Sequence, residues 1–233
     1  MFFFDPTYML FMIPGFLLVM VAQLWVSSTY RKWSKVRNSY GITGADAARR
    51  LLSYSSLNNV GVAVAPGKLS DNYDPRDRTL HLSSGVAQGQ SVAALAITAH
   101  EIGHALQDRQ GYLPMRFRAA LVPAANLGSN LGWILILIGL FLRSFQVASL
   151  GLLAFSLGAI FALATLPVEL NASSRARQML AQSGLIYSAE ERGGVSTMLN
   201  AAAFTYVAAL ATALLQLLYF AGLVAGLGGR RRS

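Results

Sequence analysis

The chain has 233 residues, of which 54% are hydrophobic and 12% charged, and its mean hydropathy is +0.46. This balance excludes an ordinary soluble domain and indicates an integral membrane protein, while the absence of cysteine excludes disulfides and thiolate metal sites. The net charge of +9 lies mostly beside apolar segments, where it indicates membrane topology and attraction to anionic lipid rather than nucleic-acid binding.

The first predicted element is a membrane-spanning helix from about Tyr8 to Val26. It lacks a preceding basic region and a small-residue cleavage site, so we expect a retained anchor rather than a removed signal peptide. A cluster of four cations follows it directly: Arg31, Lys32, Lys35 and Arg37. Because positive charge collects on the cytoplasmic side, this cluster predicts an external N-terminus and a cytoplasmic continuation.

A polar segment of mixed helical and strand pattern follows the anchor. Thr43, with Asp46 three residues on, matches a capping box and predicts the start of a helix. We expect the second predicted strand to form a sheet edge that could bind an extended peptide by strand addition. The predicted elements are a helix over 43–54, strands at 60–64 and 79–83, and a turn-rich link over 71–77.

The next predicted helix runs from Val92 to about Arg109, with Ser91 as its cap and with Gly111 and Pro114 marking its end. Its residues are mostly small and apolar, which predicts a buried helix. Polar groups on a buried helix need partners.

Two of the three histidines, His100 and His104, lie one turn apart on this helix with Glu101 between them. Residues i and i+4 share a face, so both imidazoles can reach one ion. Zinc suits this pattern, and Glu101 could reach a zinc-bound water as a general base without being a ligand. The alternative is a chance pair of histidines that make only ordinary hydrogen bonds.

Three further spans are predicted downstream, at about 121–141, 145–166 and 201–227. Only three residues separate the first two, so they form a tight hairpin that returns the chain to the side carrying the histidines. Counting one crossing for each predicted span places the tail Arg230–Arg232 outside the cell, against the positive-inside tendency.

Glu169 is the predicted third metal ligand. It follows Pro167 at the end of a span, between apolar Val168 and Leu170, where an ionisable side chain is costly and indicates function. The alternatives are pairing with Arg175 or capping of a following helix.

The chain resembles the YugP-type family of bacterial membrane zinc metallopeptidases. The resemblance rests on the stretches 69–75, 99–107, 167–173 and 199–208. The chain is more distantly similar to HtpX-like and Ste24-like membrane proteases, which place a helical hairpin between the zinc histidines and a downstream glutamate. In those proteases an aspartate follows that glutamate by four residues, where this chain has Ser173; Asn72 also stands where the family pattern has a histidine.

Together these observations predict a mainly α membrane protein with about four transmembrane helices and a small cytoplasmic α+β zincin-like catalytic module. We expect a multi-pass protein of the cell membrane that hydrolyses peptide bonds in peptide or protein substrates, with Zn²⁺ held by His100, His104 and Glu169. The predicted regions are the anchor 1–30, the catalytic module 31–118, the hairpin 119–168, the third-ligand segment 169–200, and the last helix with its basic tail 201–233.

Three residues are weaker candidates for contacts to substrate or oxyanion: His81, Arg175 and Tyr206. Two alternative functions stay open. One is a membrane scaffold with a structural zinc site, and the other is a protease that cuts within the bilayer. The second would need the zinc motif inside a spanning helix, and the polar flanks of helix 92–109 argue against that.

Overall fold

The computed structural model describes residues 5–68 and 70–229. Four long helices and a small mixed segment make up this part of the chain. In chain order the elements are α1 (Pro6–Trp33), α2 (Gly44–Tyr54), β1 (Gly61–Ala65), β2 (Asn72–Asp74), β3 (Thr79–Ser83), α3 (Ser84–Ala87), α4 (Val92–Arg109), α5 (Leu113–Phe141), α6 (Phe145–Gln182) and α7 (Ala189–Gly229).

Helices α1, α5, α6 and α7 are long and apolar enough to cross a membrane. Each contains one of the four predicted spans, so the prediction of a mainly α membrane protein is confirmed. Helices α6 and α7 continue well beyond their apolar stretches. The basic tail Arg230–Arg232 lies outside the described residues.

One of two structural units comprises residues 5–21, 113–167 and 205–229. It contains the predicted hairpin, in which α5 and α6 join through a short turn with Arg143 at φ 51°. Glycines bring the two helices close together, because a Cβ on Gly132 would lie 2.5 Å from the backbone nitrogen of Phe155. Small residues allow such approach between membrane helices.

The other unit comprises residues 22–112 and 168–204 and contains the polar segment. Its helix α2 begins with the predicted capping box, in which Thr43 Oγ1 accepts from the backbone N–H of Asp46 at 3.1 Å. The core of this unit lies between α2, α4 and the sheet, and its largest fully buried side chains include Leu51, Leu80, Leu82, Leu95 and Ile102.

The three strands form one sheet in the order β1–β3–β2, with β1 parallel and β2 antiparallel to β3. Two predictions were wrong here. The turn-rich link contains strand β2, and β3 is central rather than an edge, so strand addition at 79–83 is blocked on both sides. Strand β2 has only three residues and two of them are polar, so it gave no alternating signal; its pairing with β3 and the burial of Tyr73 make it a strand.

Candidate metal centre

Helix α4 is built as its sequence predicts. Ser91 Oγ accepts from the backbone N–H of Ala94 at 3.2 Å and caps the N-terminus. The helix ends at Arg109, and Gly111 follows with φ 61°. Pro114 lies in the first turn of α5 rather than in a loop, which is a position that proline favours.

Helix α6 approaches α4 closely at Gly103, in the middle of the histidine motif. A Cβ on Gly103 would lie 2.7 Å from the carbonyl oxygen of Ala172. Only glycine allows this separation, since real Cβ atoms do not approach backbone oxygens so closely. The contact brings Glu169, one turn earlier on α6, beside the histidines of α4.

The structure places His100, His104 and Glu169 together, as the sequence predicts. Glu169 Oε2 lies 3.2 Å from His100 Nε2 and 3.5 Å from His104 Nε2. One ligand atom from each of the three side chains lies within 4.8 Å of the others. The side chain of Glu169 is only 3% exposed.

The triad fits a zinc ion in donor chemistry, and its two distances to Glu169 also fit in size. Two imidazoles and one carboxylate are a donor set that catalytic zinc uses, and they leave a fourth position open. Ligands about 2.05 Å from a tetrahedral zinc lie about 3.3 Å from one another. The two distances to Glu169 bracket that value.

Helix α6 runs through Pro167 without ending, so Glu169 lies inside a helix and does not cap a new one. The alternative is an ion pair between Glu169 and Arg175, but the guanidinium of Arg175 donates to two other residues. Its Nε donates to Asn171 Oδ1 at 2.6 Å, and its Nη1 donates to Gln110 Oε1 at 2.7 Å.

Glu101 is buried beside the triad and is held by strand β2. Its Oε2 accepts from the backbone N–H of Tyr73 at 3.0 Å. Burial raises the pKa of Glu101, although the two neighbouring histidines oppose that shift. Burial disfavours the charged form of His104, but the carboxylates of Glu169 and Glu101 outweigh it and raise the pKa of His104.

Tyr73 also anchors β2 to α4 through its side chain. Its hydroxyl donates to Asp108 Oδ2 at 2.9 Å, and the tyrosine is 9% exposed. Sequence reasoning gave Tyr73 no role, since a lone aromatic residue in a polar stretch carries no local signal of burial.

Each histidine has a partner on its other ring nitrogen. Ser173 Oγ lies 3.2 Å from His100 Nδ1, so a hydroxyl stands where the related proteases have a carboxylate. Gln107 Oε1 lies 3.0 Å from His104 Nδ1. Such partners orient ligand histidines. Sequence reasoning missed Gln107, although its i+3 spacing from His104 could have indicated it.

The weaker candidates lie in different surroundings. His81 Nε2 is 3.6 Å from Asp77 Oδ2, and on β3 it alternates with the buried Leu80 and Leu82. Arg175 donates to Asn171 and Gln110. Tyr206 belongs to α7 within the other unit. Asn72 is exposed and is not one of the three clustered residues.

The sequence matches a known family and a named relative. The family described as "Putative neutral zinc metallopeptidase" matches residues 8–225. The chain is 44% identical over 199 residues to the "Putative membrane protease YugP" of Bacillus subtilis (strain 168), which covers 85% of this chain and 88% of that protein. No solved structure matches the chain significantly.

Proposed function

The chain belongs to the family described as "putative neutral zinc metallopeptidase", and from this membership we propose that it is a membrane-bound zinc endopeptidase with Glu101 as its general base. The observation that carries the proposal is the cluster of His100, His104 and Glu169 with the buried carboxylate of Glu101 beside it.

The number of ligands favours catalysis over a structural zinc site. A structural site closes all four positions with protein side chains, whereas a catalytic site keeps one position for water or substrate. Within residues 5–68 and 70–229, the one group of three or more potential ligands is this triad. In a scaffold with a structural zinc site, the buried carboxylate of Glu101 would also have no chemical role.

The chain's own residues suit peptide hydrolysis. Zinc bound by the triad would lower the pKa of a water and polarise the substrate carbonyl. Glu101 takes a proton from the attacking water and passes it to the leaving amine. The Tyr73 N–H holds Glu101 Oε2 and thereby fixes the direction of the carboxylate.

We propose that an extended peptide lies beside the edge of β2 that faces away from β3. The side of β2 away from β3 carries the Tyr73 N–H, which points to Glu101. A peptide beside this edge would therefore pass the triad, with the Tyr73 N–H kept on Glu101 and not shared with the peptide.

Cleavage outside the bilayer is favoured over intramembrane cleavage. Helix α4 is not among the four helices long and apolar enough to span, and it packs against α2 and the sheet. We propose the cytoplasmic face for this site, because the Arg31–Arg37 cluster follows the first span directly.

Zinc content and peptidase activity of detergent-purified protein test the proposal. The wild type should hold about one zinc per chain, and both His100→Ala and Glu169→Ala should lose it. Glu101→Gln should retain zinc but lose activity by at least about 100-fold, since it removes the base without removing a ligand. A Glu101→Gln variant of full activity, or a wild type without zinc, would contradict the proposal.

A further inference from the structure

Gln107 links the metal triad to a buried chain of hydrogen bonds. It lies three residues after His104 on α4 and is fully buried. Its Oε1 faces His104 Nδ1 at 3.0 Å, while its Nε2 donates to Val168 O at 2.8 Å and to Asn171 Oδ1 at 3.0 Å. The oxygen and the nitrogen of the Gln107 amide therefore both have hydrogen-bond partners.

The direction of each bond follows from what its partner can do. Val168 offers a backbone carbonyl, which only accepts. Asn171 must also present its oxygen, because Arg175 Nε lies 2.6 Å from it and a guanidinium only donates. Both amide hydrogens of Gln107 are therefore used on α6, and its oxygen is left to face His104.

An acceptor oxygen on Nδ1 requires that nitrogen to carry the hydrogen. His104 is then the Nδ1–H tautomer when its Nε2 binds zinc, because that nitrogen must give its lone pair to the ion. Without zinc, the Glu169 carboxylate 3.5 Å from Nε2 competes with Gln107 for the ring hydrogen. His100 differs, because its Nδ1 partner is the hydroxyl of Ser173, which can either donate or accept. Gln107 therefore selects one tautomer of His104, whereas Ser173 can accommodate either tautomer of His100.

We propose that Gln107 is a positioning residue that locks His104 as a preformed zinc ligand, with Asn171 and Arg175 fixing the direction of its amide. This inference deepens the proposed metal site and rests on it. Arg175 accordingly acts from behind His104 and not as a contact to the substrate oxyanion. Its remaining described bond, to Gln110 Oε1 at 2.7 Å, ties the network to the end of α4.

Zinc affinity, measured by chelator competition in detergent, tests the network. Gln107→Met keeps the bulk of the side chain but removes the acceptor, and we expect zinc binding to weaken about 10- to 100-fold. The matched pair is Asn171→Leu and Asn171→Asp. The first removes the oxygen shared by Gln107 and Arg175 and should weaken binding roughly 10-fold, whereas the second retains an acceptor there and should stay within about threefold of the wild type.

The tautomer gives a readout that a loss of packing would not produce. The chain has three histidines, so ring-¹⁵N-histidine labelling yields three ring systems, and His104→Gln assigns the one of interest. The measurement is made in metal-free Glu169→Ala protein at alkaline pH, which lacks the carboxylate that faces Nε2. There His104 should be Nδ1–H with Gln107 and Asn171 intact or with Asn171→Asp added, and a mixture of tautomers when Gln107→Met or Asn171→Leu is added.

An Nε2–H form of His104 in Glu169→Ala protein with Gln107 and Asn171 intact would overturn the inference. So would Gln107→Met and Asn171→Leu with unchanged tautomer and zinc affinity. If Gln107→Met fails to fold, the Asn171 pair alone decides between the outcomes. A wild type that binds no zinc would defeat the proposed function, while the tautomer of the metal-free protein would still decide whether the network exists.

Discussion

Gly103→Ala tests whether the close approach of α4 and α6 creates the metal centre. The added Cβ would lie 2.7 Å from the Ala172 oxygen, and ordinary contact needs about 3.4 Å, so α6 must retreat by roughly 0.7 Å. Metal sites tolerate changes of only about 0.2 Å in ligand distance. Because Glu169 lies one turn from Ala172, we expect zinc affinity to fall roughly 10- to 100-fold.

The stability change is measured separately from the change in zinc binding, because the added methyl group affects both. Alanine gains about 1 kcal/mol of helix propensity over glycine, while overpacking costs about 1–3 kcal/mol. The net loss should therefore be at most about 2 kcal/mol. Chelator competition and thermal unfolding of metal-free protein separate the two effects.

Gly193→Ala is the matched control for this substitution. Gly193 also lies in a helix, and its added Cβ would meet no atom within 4 Å. We expect unchanged zinc affinity and a gain of up to about 1 kcal/mol in stability. Zinc binding by Gly103→Ala at wild-type affinity would refute the idea that this contact sets the position of Glu169.

Three further substitutions test other parts of the fold. Tyr73→Phe removes the hydroxyl bound to Asp108 but keeps the backbone N–H on Glu101. We expect denaturation to show an unfolding free energy lower by about 1–2 kcal/mol, with peptidase activity within about threefold of the wild type. A large loss of activity without loss of stability would contradict this. Gly132→Leu forces a side chain against the backbone of α6 and should lower the unfolding free energy by about 3 kcal/mol. The control Gly222→Leu places its side chain in open space and should change that free energy by less than about 0.5 kcal/mol. Equal effects of the two substitutions would contradict the close approach of α5 and α6. Hydrogen bonds from the N-cap residue Thr43 hold the pKa of Asp46 below its usual 3.8. The wild type should therefore have a higher unfolding free energy than Asp46→Asn above pH 4, and this difference should disappear as the pH falls through the folded pKa. A stability difference that persists in acid would contradict this.

Local signals in the sequence predicted the elements that carry the histidines. Caps at Thr43 and Ser91 gave the starts of α2 and α4, because capping depends only on residues within one turn. The four spans were predictable since a bilayer demands long apolar runs. Glu169 could be found because a carboxylate beside hydrocarbon is costly wherever the rest of the chain lies.

The features that the sequence did not reveal depend on contacts between distant segments. Strand β2 exists through its pairing with β3, and Tyr73 acquires its role only when β2 packs against α4. The partners of Gln107 lie on α6, more than 60 residues further along the chain. No pattern within α4 specifies them, so the orientation of His104 could not be predicted.

The triad draws its members from two segments that the ribosome makes at different times. His100 and Glu169 are 69 residues apart, and the whole hairpin of α5 and most of α6 is synthesised between them. A nascent chain that has emerged only through α5 carries two of the three ligands and cannot close the site. The proposed metal site can therefore form only after the hairpin has been synthesised, so a shorter nascent chain could not yet hold the ion with all three residues.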